Sequence, residues 1–110
     1  MPLGAHFHNT RGTGIASAFA ALQAGVTQLD ASVGGLGGCP FAPGASGNIA
    51  TEELVYLLDD AGIGTGVDLS KVLDAAAVAT ELVGHPLESN LFRAGGRNRP
   101  RSVGLVAPVP

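Results

Sequence analysis

The chain has 110 residues but only one cysteine, one tyrosine, four phenylalanines and no tryptophan. A single cysteine excludes an internal disulfide and leaves Cys39 as buried filler, a metal ligand or a reactive thiol. Much of the apolar content is alanine, and with 17 glycines the chain has little bulk for an independent core. A packing partner is therefore expected. Six Lys and Arg against nine Asp and Glu give a net charge of −3, and no basic stripe follows any expected helix, which argues against nucleic acid as a ligand. No apolar run approaches the roughly twenty residues that span a bilayer, and Met1-Pro2-Leu3 lacks the basic start of a signal peptide. The expectation is a cytoplasmic protein with no membrane partner.

Glycine, by contrast, is abundant, and it gathers around the thiol. In Gly34-Gly35-Leu36-Gly37-Gly38-Cys39-Pro40 the backbone can fold closely around Cys39 with almost no side-chain cover. Nine residues on comes Asn48, in Gly44-Ala45-Ser46-Gly47-Asn48, and near the start lies the triplet His6-Phe7-His8.

The pattern reads as alternating strands and helices. Leu3 to His8 is expected to be a strand, on which His6 and His8 project to one face and Phe7 to the other. A polar turn from Asn9 to Gly14 leads into a helix with Ile15, Ala18, Phe19 and Leu22 on one side, stopped by Gly25. Thr27 to Val33 is a second strand, with Leu29, Ala31 and Val33 on one face and Gln28, Asp30 and Ser32 on the other. Strand, helix, strand is the parallel unit of α/β folds, whose sites lie at the carboxyl edge of the sheet. His8 and the loop from Gly34 to Asn48 both reach that edge.

Asn48 is expected to start a helix with Leu54, Leu57, Leu58 and Ala61 on one side, Glu52 and Glu53 near its positive end, and Gly62 as terminator. Asp68 caps another, carrying Leu69, Val72, Leu73, Ala76 and Thr80 before Gly84 and Pro86. Arg93, Arg97, Arg99 and Arg101 then alternate with glycine, asparagine and proline, so residues 1–86 are expected to form the folded part and residues 87–110 a mobile tail.

Two histidines on one strand face can hold one metal, each ligating through one nitrogen while an outer acceptor holds the other. Two histidines and a cysteine would suit tetrahedral zinc, whereas two histidines with amide and carboxylate oxygens suit octahedral magnesium or manganese. Asn48 reads equally as a ligand or as a helix N-cap. Thr10 and Arg11 are either contacts for an anionic substrate or members of a solvated loop.

The order and spacing of His6-Phe7-His8-Asn9-Thr10, Leu29-Asp30-Ala31-Ser32-Val33, Gly34-Gly35-Leu36-Gly37-Gly38-Cys39-Pro40-Phe41-Ala42 and Gly44-Ala45-Ser46-Gly47-Asn48-Ile49-Ala50-Thr51-Glu52 strongly resemble hydroxymethylglutaryl-CoA lyase. The resemblance covers about residues 3 to 84. It implies an α/β fold, the last two strands and following helices of a (β/α)8 TIM barrel, in the metal-dependent lyase branch that also holds isopropylmalate and homocitrate synthases. It further implies that His6, His8 and Asn48 ligate a divalent cation, magnesium or manganese. Cys39 matches the family's catalytic loop cysteine, and His6 matches a histidine that assists proton transfer as well as ligation. The family's remaining ligand, an aspartate of the first barrel strand within an Arg-Asp pair, has no counterpart here.

The activity so implied is carbon-carbon cleavage of a 3-hydroxyacyl-CoA to acetyl-CoA and a keto acid. Asn9 stands where the family commonly has aspartate and Arg11 where it has an aromatic residue, which opens the substrate range to related thioesters such as citramalyl-CoA. The rival expectation is an inactive truncated or split-gene barrel fragment. On either reading the chain is expected to need the missing barrel portion or to self-associate.

Overall fold

The computed structural model describes residues 2–37 and 47–95. Strand β1 (Gly4–Ala5) pairs in parallel with β2 (Gln28–Leu29), with Gly4 opposite Gln28 and Ala5 opposite Leu29. Helix α1 (Gly14–Gln23) makes the crossover between them. A 3-10 turn follows at Val33–Gly35, then α2 (Thr51–Asp60), α3 (Leu69–Val83) and the short α4 (Asn90–Ala94). This is the expected parallel strand-helix-strand unit, a small α/β arrangement.

The regular ladder is shorter than the alternating pattern suggested, two residues in each strand rather than six or seven. The reason is a third segment that enters between the two strands. Residues 47–50 form an antiparallel bridge, Asn48 to His8, and a parallel one, Ala50 to Ser32. Backbone bonds from Ile49 N to Phe7 O (3.2 Å), Asn9 N to Gly47 O (3.0 Å), Ser32 N to Ile49 O (3.1 Å) and Thr51 N to Ser32 O (2.9 Å) take up groups that a longer β1–β2 ladder would have used. Asn48 consequently does not begin a helix: α2 starts at Thr51 with Ala50 in the cap position.

The core lies where the sheet meets α1 and α2. Ala18, Ile49, Leu54 and Leu58 are buried together, and Phe7, Ile15, Leu22, Leu29 and Ala31 pack around them. Ile15, Ala18 and Leu22 recur at the helical period, as do Leu54 and Leu58, so each helix turns one stripe inward. Leu29 and Ala31 alternate with the exposed Asp30, so the second strand keeps its apolar face on the helices.

Asp68 caps α3, its side chain accepting from the amides of Ser70 and Lys71, and Gly84 ends the helix in the left-handed conformation at φ 76°. Only Ala76 of α3 is buried, and Val78 and Leu82 face outward. Residues 87–95, which composition had assigned to the tail, pack back on the structure. Leu87 and Ser89 are buried, the Ser89 hydroxyl caps α4 by accepting from Phe92 N, and Glu53 accepts from Asn90 N at 2.6 Å. Residues 96–110 lie outside the described residues, and no described helix is long and apolar enough to cross a membrane.

Candidate active site

The site forms at the carboxyl ends of β1 and β2, where residues 6–9, 30–37 and 47–50 meet. The His6 and His8 rings lie edge to face with centroids 5.0 Å apart, so the expected sharing of one face holds. Extending the β1–β2 register by one residue places His6 beside Asp30, and His6 Nδ1 lies 2.5 Å from Asp30 Oδ1. His8 faces Asn48 across the antiparallel bridge, which is closed by the bonds from Ile49 N to Phe7 O and from Asn9 N to Gly47 O. Gly14 packs so closely that a Cβ there would sit 2.7 Å from His8 O and collide with Ile49, which brings the start of α1 up to the segment that carries His6 and His8.

Asn48 is half-buried and its amide is fixed. Nδ2 donates to Leu36 O at 2.9 Å, while Oδ1 is buried without a hydrogen-bond partner among the described residues. That arrangement excludes the helix-cap reading, because the side chain bonds a backbone carbonyl rather than the amides of α2. A buried amide oxygen left unpaired costs on the order of 1–3 kcal/mol. An oxygen held in this way, on the residue that faces His8 across the bridge, suits a cation as its missing partner.

The glycines of the neighbouring turn make that approach possible. A Cβ on Gly37 would meet Asn48 Nδ2 at 3.0 Å, and one on Gly47 would occupy the position of the Gly35 carbonyl. Behind the turn, Glu52 is fully buried and both of its carboxylate oxygens accept from Gly34 N. Asn9 Oδ1 accepts from Gly14 N at 3.0 Å and thereby ties the loop after His8 to the start of α1. Thr10 is half-buried and Arg11 exposed in that loop.

Of the expected site residues, the structure brings together His6, His8 and Asn48. Cys39 lies outside the described residues. Among the described residues no three His, Cys, Asp or Glu side chains gather at one point. Two polar residues gained roles that pattern alone did not reveal. Glu52 read as a favourable charge at a helix start, and Asp30 as one of several polar residues on a strand face. The signal for Asp30 lay in the parallel register, which sets it level with His6.

The HMGL-like family model matches residues 1–79. The chain is 56% identical over 84 residues to hydroxymethylglutaryl-CoA lyase of Bacillus subtilis, which covers 76% of this chain and 28% of that protein. It is 51% identical over 90 residues to (R)-citramalyl-CoA lyase of Chloroflexus aurantiacus, covering 82% of this chain and 28% of the relative. In three dimensions it is similar to an HMG-CoA lyase from Acinetobacter baumannii in complex with coenzyme A and 3-methylmalate, with a TM-score of 0.85 and 46% identity over 92% of this chain and 33% of that one. The chain thus spans little more than a quarter of the length of these curated relatives.

Proposed function

The chain belongs to the HMGL-like family, and we propose from that premise that it carries the metal-binding and proton-transfer end of a carbon-carbon lyase. The reaction is cleavage of a 3-hydroxyacyl-CoA to acetyl-CoA and a keto acid, acetoacetate when the substrate is hydroxymethylglutaryl-CoA. The observation that supports it most directly is the buried, unpaired Oδ1 of Asn48, a residue that faces His8 across the antiparallel bridge.

In this reading His6, His8 and Asn48 hold magnesium or manganese, which when bound supplies positive charge against the alkoxide that cleavage requires. Of these donors, the amide oxygen suits either ion. Cys39 hands a proton to the carbon of the departing thioester enolate. The fixed amide of Asn48 keeps its oxygen turned away from Leu36, so no rotation competes with ligation.

In the same reading β1 and β2 are the last two strands of a (β/α)8 barrel. Residues 1–86 are the barrel part, and 87–110 an appendage that begins by docking on the folded unit. The partner is the remaining barrel portion or further copies of the chain, the substrate an acyl-CoA, and the compartment the cytoplasm. The citramalyl-CoA lyase relative favours a second substrate of the same type. Acetyl-CoA release from hydroxymethylglutaryl-CoA and from citramalyl-CoA, assayed with magnesium or manganese and with the remaining barrel portion present, tests both. Release from one thioester selects it, and release from neither overturns the lyase reading.

A further inference from the structure

Asp30 is the one carboxylate that meets a candidate ligand among the described contacts, and it does so by construction of the sheet. With Gly4 opposite Gln28 and Ala5 opposite Leu29, the next parallel step brings His6 and Asp30 level on the same face. Their side chains close the gap, Nδ1 to Oδ1, at 2.5 Å. As an ion pair this contact has little to offer the fold, because the two side chains are 50% and 70% exposed and such pairs are weak and screened by salt. Its consequence is chemical. An ionised carboxylate only accepts, so the proton between them belongs to Nδ1 of His6, and a neutral imidazole has one N–H. Nε2 is then the unprotonated nitrogen, the form that a metal requires.

We propose that Asp30 is a positioning residue, whose carboxylate holds the Nδ1–H of His6 and fixes the tautomer and ring orientation that present Nε2 to the divalent cation. This deepens the metal reading and rests on it. Asp30 itself does not ligate. The free imidazole favours no such arrangement strongly, and the carboxylate supplies the bias while making Nε2 a better donor. The assignment also separates the two histidines. His6 is tied to the second strand through Asp30, whereas His8 is held by the backbone bonds that its neighbours Phe7 and Asn9 make to Ile49 and Gly47.

The chain contains three histidines, so histidine labelled with nitrogen-15 gives a readable two-bond correlation spectrum, with His85→Gln and His8→Gln to assign the signals. Spectra are recorded above the imidazole titration range on the full chain, its helices checked by circular dichroism. The expected result is His6 in the Nδ1–H tautomer, lost in Asp30→Ala and restored in Asp30→Glu. Calorimetric titration with manganese alone should show affinity reduced about 10- to 100-fold in Asp30→Ala. In a chain with intact helices, a His6 that is not in the Nδ1–H tautomer, or one whose tautomer is unchanged in Asp30→Ala, overturns the proposal. A tautomer that shifts as expected with unchanged manganese affinity overturns the metal reading of His6 and the role given to Asp30 with it, while leaving the contact itself established. Loss of manganese binding in Asp30→Asn with the Nδ1–H tautomer retained makes Asp30 a ligand and overturns the positioning role.

Discussion

Glu52 binds Gly34: both oxygens of the fully buried carboxylate accept from the one Gly34 amide, at 2.9 and 3.1 Å. The contact joins the first turn of α2 to the 3-10 turn that leads to Leu36, whose carbonyl holds the Asn48 amide. One buried carboxyl group thus braces the turn that orients a candidate ligand. Glu52 also sits at the positive end of α2, where the exposed amides of the first turn favour an anion.

Glu52→Ala is therefore expected to be costly. It leaves the Gly34 amide buried without an acceptor and a void beside it, for which a loss of about 2–4 kcal/mol is expected from the unpaired amide and the cavity together. Glu52→Gln keeps an acceptor of the same shape and should cost about 1 kcal/mol, since its NH2 gains no defined partner. Urea unfolding followed by circular dichroism measures both. An alanine variant as stable as the parent would mean that the contact contributes nothing to the turn.

For the ligands, His6→Ala, His8→Ala and Asn48→Ala are expected to weaken manganese or magnesium binding, the histidines more than the asparagine. Loss of a direct ligand should exceed the roughly 10- to 100-fold typical of residues that only support one. Asn48→Asp is the informative companion, because it retains an oxygen and adds charge but loses the donor to Leu36 O. Its carboxylate would face that carbonyl, so a gain in affinity accompanied by lower stability is expected. Calorimetry that finds cation affinity unchanged in both histidine variants would refute the donor set.

Cys39→Ser, tested with the remaining barrel portion present, should leave metal affinity and stability near the parent and lower turnover. The loss of a positioned proton donor is worth about 10²- to 10⁴-fold. Serine keeps the size and removes the readily ionised thiol. Turnover within a few-fold of the parent would assign Cys39 to packing alone.

Much of this site was legible in the sequence, and the parts that were not have a common cause. The shared face of His6 and His8 follows from strand alternation, and the Asp68 cap and the Gly84 stop of α3 from local hydrogen bonding and backbone sterics. Each depends on residues a few positions apart. Asn48 was misplaced at a helix start because its cap propensity is local, whereas its actual bond runs to Leu36, twelve residues back. The short ladder has the same origin: residues 47–51 enter between two strands that, read alone, alternate over six or seven residues. Ser89 was a legible helix cap, overlooked because the arginines and prolines after it dominate the composition. The roles of Asp30 and Glu52 required the pairing register and the depth of burial, which no pattern along one chain supplies.

Gly34 offers a test of how tightly that turn is built. It has a φ of 67°, it is buried, and a Cβ on it would collide with the Cδ1 of Leu87. Alanine there suffers twice, from a backbone conformation that side chains rarely adopt and from overlap with a buried leucine, and a loss of about 2–4 kcal/mol is expected. The two causes are separable because the overlap is with the Leu87 side chain, its Cδ1, Cδ2 and Cγ, which alanine removes. Leu87→Ala alone should cost about 2–3 kcal/mol for the buried area and cavity. In the double variant the overlap is gone, so the combined loss should fall short of the sum of the single losses by about 1 kcal/mol or more, within the range seen for residues in contact. What remains is the backbone strain, and it should also loosen the Gly34 amide from Glu52 and, through Leu36, the Asn48 oxygen. Urea unfolding of the four proteins reads the first effect and manganese calorimetry the second. Strict additivity would place Leu87 away from Gly34 and remove residues 87–95 from the packing of the site.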